Sequence, residues 1–306
     1  MKQLAFVILF ILVFTGLFAQ EGDIQHDPQL KVREDSLAVI AKQIIEGETE
    51  YDRAKACFEF IPKLVKALKI PGSFHYPFEK LQTISILKPE DNSFRIFSWV
   101  LQKNNKTFRF YGAIQMNTED NALQLYPLYD YSDSIQNPMD TVLNNESWYG
   151  ALYYKILEVK HRKNTYYTLL GWDGNDAMST KKVADVLYFE DEKPVFGAPV
   201  FEIMEEDAEE TTIKNRIIVE YKVNSNVSFN YYPPEDMIIH DHVIAPDDKS
   251  KGLQFTYVPD GTYVGYKWKK GQWNYVERVF NKNIDKPDDP PVPHPSKEKG
   301  LSAPDK

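Results

Sequence analysis

The most suggestive chemistry in the chain is the run His240-Asp241-His242, preceded by Glu235-Asp236 and followed by Pro246-Asp247-Asp248. On a strand, residues two apart point to one face, so His240 and His242 could present two imidazoles to one divalent metal. A third ligand would have to come from elsewhere, with His161 and Glu220 as candidates. Zinc-type sites take three or four ligands and only two are visible, while His and Asp at strand ends commonly bond neighbouring turns. No cofactor is expected, and a divalent metal on His240 and His242 is the exception kept open.

Carboxylates offer two further readings. Gly171-Trp172-Asp173-Gly174-Asn175-Asp176 opens like a calcium loop, but Ala177 breaks the ligand series and the late Glu is missing. Turn chemistry with positive φ at Gly174 or Asn175 explains the segment better. The acidic run Glu202, Glu205, Glu206, Asp207, Glu209 and Glu210 has neither ligand spacing nor a turn glycine and reads as a solvated loop. Glycoside hydrolysis would need two carboxyl groups facing each other in an aromatic-lined cleft. With 45 Asp and Glu residues the sequence nominates no pair. Trp99, Trp148, Trp172, Trp268 and Trp273 are candidate stacking platforms, although each lies in or beside an expected strand, where aromatics serve the core. There is no G-x-S-x-G, H-E-x-x-H, G-x-x-x-x-G-K or G-x-G-x-x-G motif, which weakens the case for an enzyme.

The elements that would position these residues divide the chain. Residues 1–19 read as a signal peptide: Lys2, an apolar run from Leu4 to Phe14, and cleavage after Ala19. Residues 20–27 form a polar leader. Residues 28–72 read as a helical hairpin, with Asp27-Pro28 as an N-terminal cap, Gly47 as a stop and Thr49-Glu50-Tyr51-Asp52 as a second cap. The stripe Ala54, Cys57, Phe58 and Ile61 gives the second helix its apolar face, and Pro62 should kink or split it. Cys57 is expected as a buried small hydrophobe.

Residues 73–284 read as a β-rich domain of short aromatic strands, among them Thr165–Trp172, Val183–Phe189, Arg216–Val223 and Met237–Ile244. Turn signals separate them at Lys103–Lys106, Asp173–Asp176, Pro259-Asp260-Gly261 and Lys269-Lys270-Gly271. Strands apolar on both faces imply sheets covered on both sides. The fold class expected is α+β, a helical hairpin followed by a large, mainly antiparallel β domain. An irregular propeller-like arrangement is the alternative, because FRIFSW, YYTLLGW, RIIVEY and TYVGYKW recur from 94, 166, 216 and 262. Residues 285–306, with six prolines in 22 residues, read as a disordered Pro-rich tail.

Composition bounds the function. The 306-residue chain carries 36 Lys+Arg against 45 Asp+Glu, a net charge of −9 that argues against nucleic acid and against anionic membrane surfaces. One cysteine excludes an internal disulfide framework. No second apolar stretch approaches membrane-spanning length, so no stable membrane insertion is expected after cleavage.

Three segments together, 166–191, MIIHDHVIAPDD at 237–248 and PDGTYVGYKWKKGQWNYVERV at 259–279, resemble a group of exported bacterial proteins of uncharacterised function. The resemblance implies an exported chain, periplasmic or secreted, with a β-rich body, and carries no activity onto particular residues. The leading expectation is a non-catalytic binding or interaction protein of the envelope or secretome whose ligand is a glycan, peptide or envelope protein. The alternative is a hydrolase, metal-dependent through His240 and His242 or acting through paired carboxylates.

Overall fold

The structure is a computed structural model that describes residues 27–206, 208–277 and 279. The expected signal peptide (1–19), the leader before Asp27 and the Pro-rich tail (285–306) lie outside the described residues.

Both helices begin where local chemistry places them. Helix α1 spans Pro28–Glu46, and the Asp27 carboxylate accepts hydrogen bonds from the backbone of Gln29 and Leu30 at 2.8 and 2.9 Å. Helix α2 spans Glu50–Leu68 behind a reciprocal cap. Asp52 N donates to Thr49 Oγ1 at 3.1 Å, and Thr49 N donates to Asp52 Oδ2 at 3.3 Å. Pro62 sits inside α2 without splitting it; the bond it forfeits would end on Phe58, which lies on the helix's exposed side. One expectation needs correction, because the apolar face is rotated: Phe58 is 69% exposed, whereas Phe60 is fully buried. Packing on the first sheet sets this rotation, since Phe60 meets Trp99 edge-on at 5.3 Å and Trp99 Nε1 donates to Cys57 Sγ at 3.3 Å.

Sixteen strands follow among the described residues. They begin with β1 (Ser85–Leu87), β2 (Phe94–Gln102), β3 (Phe108–Met116) and β4 (Leu125–Tyr129), then β5 (Leu143–Asn144), β6 (Leu152–His161), β7 (Asn164–Asp173), β8 (Ser179–Glu190) and β9 (Lys193–Phe196). The last seven are β10 (Phe201–Ile203), β11 (Thr212–Lys214), β12 (Ile217–Lys222), β13 (Phe229–Tyr232), β14 (Met237–Ile244), β15 (Val258–Lys269) and β16 (Gln272–Val276). Three sheets result: β1-β2-β3-β4; β5-β9-β8-β7-β6 with β12 added to β8; and β11-β10-β16-β15-β14-β13. Strands β10 and β16 pair in parallel, and the other strand pairs are antiparallel. The chain is therefore a helical hairpin followed by a mainly antiparallel β region, and a propeller is not required.

The middle sheet is buried on both faces, as the doubly apolar strands predict. On β7, Tyr167 and Leu169 join the core shared with the helices and first sheet, while Leu170 joins the core shared with the third sheet. On β8, Val183 and Leu187 take the first side, Ala184 and Val186 the second. Thr168 Oγ1 accepts from Trp273 Nε1 at 3.0 Å across that second interface.

Most turn readings match the backbone. Lys270 and Gly271 both take positive φ, 56° and 87°, in the β15–β16 hairpin, and in the β7–β8 turn it is Asn175 that does so, at 50°. One does not. Pro259-Asp260-Gly261 lies inside β15, which accommodates it through a register shift opposite Asp241 and Val243 and a Gly261 φ of 85°. No described helix is long and apolar enough to cross a membrane.

Candidate functional site

Antiparallel pairing places three charged residues in one row across the middle sheet. Asp173 of β7 lies opposite Lys181 of β8, and Lys181 lies opposite Glu220 of β12. Directly opposed residues share a face, so a carboxylate, an ammonium and a carboxylate stand side by side. They face the side of the sheet that also carries Val183 and Leu187, toward the first sheet.

A cavity of about 1060 Å³ opens over this row and wraps around β12. Strand β12 makes this possible because it pairs only with β8, leaving its other edge free of a strand. Ile218 and Glu220 line the cavity from one face of β12, Ile217 and Val219 from the other. The first arm is walled by Phe108, Phe110, Asp130, Tyr149, Asp173 and Lys181; the second by Ile203, His240, Val264, Tyr266 and Tyr275. Eight carboxylates line the whole cavity against two lysines.

Hydrogen bonds hold the first arm. Asp173 accepts from Asn175 N at 2.8 Å and from Tyr149 Oη at 2.9 Å. Lys181 Nζ donates to Asn175 Oδ1 at 2.8 Å and stands 3.9 Å from Glu220 Oε2. Ser179 Oγ donates to Glu220 Oε1 at 2.5 Å and accepts from Asn175 Nδ2 at 2.6 Å. Asp130 has both oxygens fixed, accepting from Phe110 N at 2.9 Å and from Ser132 N and Oγ at 3.0 and 2.6 Å. Gly150 permits this fit: a Cβ there would lie 2.6 Å from the Asp130 carboxyl carbon. Burial pushes the Asp173 carboxyl up to about 6, opposed by the Lys181 charge and by the hydrogen bonds from Asn175 and Tyr149, and assisted by Asp130. Burial and the neighbouring Asp173 hold the Tyr149 phenol well above its ordinary range.

The two histidines line the second arm, where the pairing of β14 with β15 shifts register between Asp241 and Val243. His240 is buried, with Nδ1 2.7 Å from Asp241 O and Nε2 3.4 Å from Tyr266 Oη. Burial lowers its pKa to about 4, so the ring is neutral near pH 7. His242 is more open, its Nδ1 2.9 Å from Asp260 Oδ2. Neither proposed third ligand joins them. Glu220 points from the opposite face of β12 to Ile217 and Val219, and His161 packs against Gly271. Among the described residues no three His, Cys, Asp or Glu side chains gather as a metal-ligand set.

Of the residues singled out in the sequence, Asp173, Asn175, Glu220, His240 and His242 all reach this cavity, along with Glu205 and Glu206 of the acidic run. The tryptophans do not line it: Trp99, Trp148, Trp172 and Trp273 are buried in packing. Lys181, Tyr149 and Asp130 were missed. Lys181 follows Asp173 by eight residues and stands opposite it in the β7–β8 hairpin, whose connection is 174–178.

No protein-family model, curated protein or solved structure matches this chain.

Proposed function

We propose that this is an exported bacterial binding protein that holds a glycan in the cavity around β12. The observation that carries the reading is the composition of that wall. Carboxylates on strands and turns accept hydrogen bonds from ligand hydroxyls, while the half-buried rings of Phe108 and Tyr275 offer apolar faces for sugar rings. The excess of carboxylates over lysines disfavours phosphorylated, sulfated or otherwise anionic ligands. Export rests on the apolar run Leu4–Phe14 behind Lys2.

The test is a thermal-shift screen of the chain from Gln20 onward against neutral oligosaccharides, lysine-rich peptides and sulfated oligosaccharides, followed by calorimetry. A neutral oligosaccharide at a hundred times its Kd should stabilise the fold by about 2.7 kcal/mol, and sulfated ones should have no effect. Stabilisation by basic peptides alone would replace the glycan reading with a peptide one.

A further inference from the structure

Strand β12 has one edge paired and one edge open. Val223 N donates to Met178 O on the β8 side, and Lys222 N donates to Tyr257 O on the other. Successive residues of a strand turn their N–H and C=O groups to opposite edges. Ile217, Val219 and Tyr221 therefore bond β8, whereas Ile218 and Glu220 direct their backbone groups away from it. Those groups have no partner among the described residues. The cavity is lined by Ile217, Ile218, Val219 and Glu220 in succession, and alternate residues belong to opposite faces of the strand, so the open edge runs between its two arms.

We infer that this edge takes an extended basic peptide as an added antiparallel strand. The inference goes beyond the glycan reading and does not rest on it, because it turns on the backbone of β12.

In an antiparallel ladder each hydrogen-bonded pair of residues exchanges two bonds, so peptide residues opposite Ile218 and Glu220 make four. Directly opposed side chains share a face, which sends those two residues into the first arm and the residue between them into the second. The first arm sets Asp130, Asp173 and Glu220 against Lys181 alone, and Lys181 already stands 3.9 Å from Glu220 Oε2. Lys214, the other lysine of the cavity, pairs with Asp140 at 3.0 Å and with Glu205 at 3.1 Å. Charge therefore favours lysine or arginine at the first-arm positions. The second arm, walled by Ile203, Val264, Tyr266 and Tyr275, favours an apolar side chain. The pattern recognised is basic, apolar, basic.

The depth of the edge decides between a peptide and a second copy of the chain. A strand edge on the surface pairs readily with another edge. This one lies in a cavity rimmed by 132–140, 204–206 and 254–257, and a second copy carries the same rim around its own β12. Two such rims collide before the edges meet, while a narrow extended segment enters.

The experiment titrates the chain from Gln20 onward by calorimetry with a blocked pentapeptide of sequence Lys-Val-Lys-Val-Lys. Every register that fills both positions places its central lysine opposite Ile218 or Glu220. Methylating the central lysine's backbone nitrogen should therefore weaken binding by about tenfold or more, because an N–H aimed at β12 is lost. Methylating either valine nitrogen, which faces away, should change affinity by less than about threefold. In the complex, hydrogen exchange should slow by about tenfold or more at the Ile218 and Glu220 amides and stay unchanged at Val219, already bonded to β8. No binding of the unmethylated peptide overturns the inference. So does equal affinity for the peptide with glutamate in place of lysine, or a loss on methylation that falls on the valines, on both residue types or on neither. Protection of the Ile218 and Glu220 amides before any peptide is added overturns it as well, assigning the edge to a second copy if it rises with protein concentration and to the chain itself if it does not.

Discussion

Arg216 and Asp185 form an ion pair in which neither side chain is exposed, with Arg216 Nε 3.2 Å from Asp185 Oδ1. The pair extends the β12–β8 ladder by one step beyond Ile217 and Ala184. Arg216 also donates to Pro138 O and to Thr141 O, the latter at 2.9 Å, so it ties the cavity's outer loop to the middle sheet. Arg216 Nη2 and Asp185 Oδ2 have no hydrogen-bond partner among the described residues.

Removing one partner should therefore be worse than removing both. Arg216→Met leaves a buried carboxylate and two unpaired carbonyls, and should cost about 3–5 kcal/mol in urea denaturation. The double variant Arg216→Met/Asp185→Leu should recover part of that loss, because the stranded charge is gone. A double variant no more stable than the single one would show that the carbonyl bonds, not the ion pair, dominate.

Two cavity residues should give opposite pH dependence. Asp173 binds its proton more tightly folded than unfolded, so its contribution is complete below about pH 4 and is lost as pH rises through about 6. Lys181, Tyr149 and Asp130 face it and set that value with its burial. Asp173→Asn should gain on the parent by something on the order of 2–3 kcal/mol between pH 4 and 7. His240, faced by Asp241, His242 and Tyr266, does the reverse. Its contribution is present above about 6.5 and is lost as pH falls through about 4, so His240→Gln should lose less than the parent on acidification. Melting temperatures across pH 4–7 for the three chains check both signs.

The thiol of Cys57 is fully buried and pushed up to about 11 by burial, against the hydrogen bonds of Trp99 and Tyr111. It should resist iodoacetamide in the folded chain at pH 8 and react within minutes in denaturant, as mass spectrometry of the single adduct would show. Rapid labelling of the native chain would contradict the packing of α2 on β2.

The rotated face of α2 has a direct test as well. Phe60→Ala empties a fully buried position and should cost about 3–5 kcal/mol, whereas Phe58→Ala, at a site 69% exposed, should stay within about 0.5 kcal/mol. Equal losses in urea denaturation would restore the stripe read from the sequence.

What the sequence made legible was local. Asp27 and Thr49 cap their helices through atoms two or three residues away, and Met237–Ile244 is a strand with the bounds its composition suggests. The face of α2 was misread because Phe58 and Phe60 both fit an apolar stripe, and only the position of Trp99 on β2 chooses between them. The row at the cavity was hidden for a related reason. Asp173 and Lys181 are hairpin neighbours, but Glu220 joins them only after β9 has paired farther along β8, β10 and β11 have joined the third sheet, and β12 has returned to β8. No periodicity encodes that return.

Strand β8 is served by two strands along one edge, β12 beside residues 179–184 and β9 beside 187–190. The Asp173–Lys181–Glu220 row thus belongs to ladder backbone, whereas much of the cavity's rim comes from the connections at 132–140, 204–206 and 254–257. Connections accept insertions and exchanges that ladders do not. The frame and the rim can consequently diverge at different rates, and grafting new rim segments onto the unchanged frame is a direct way to alter what the cavity admits.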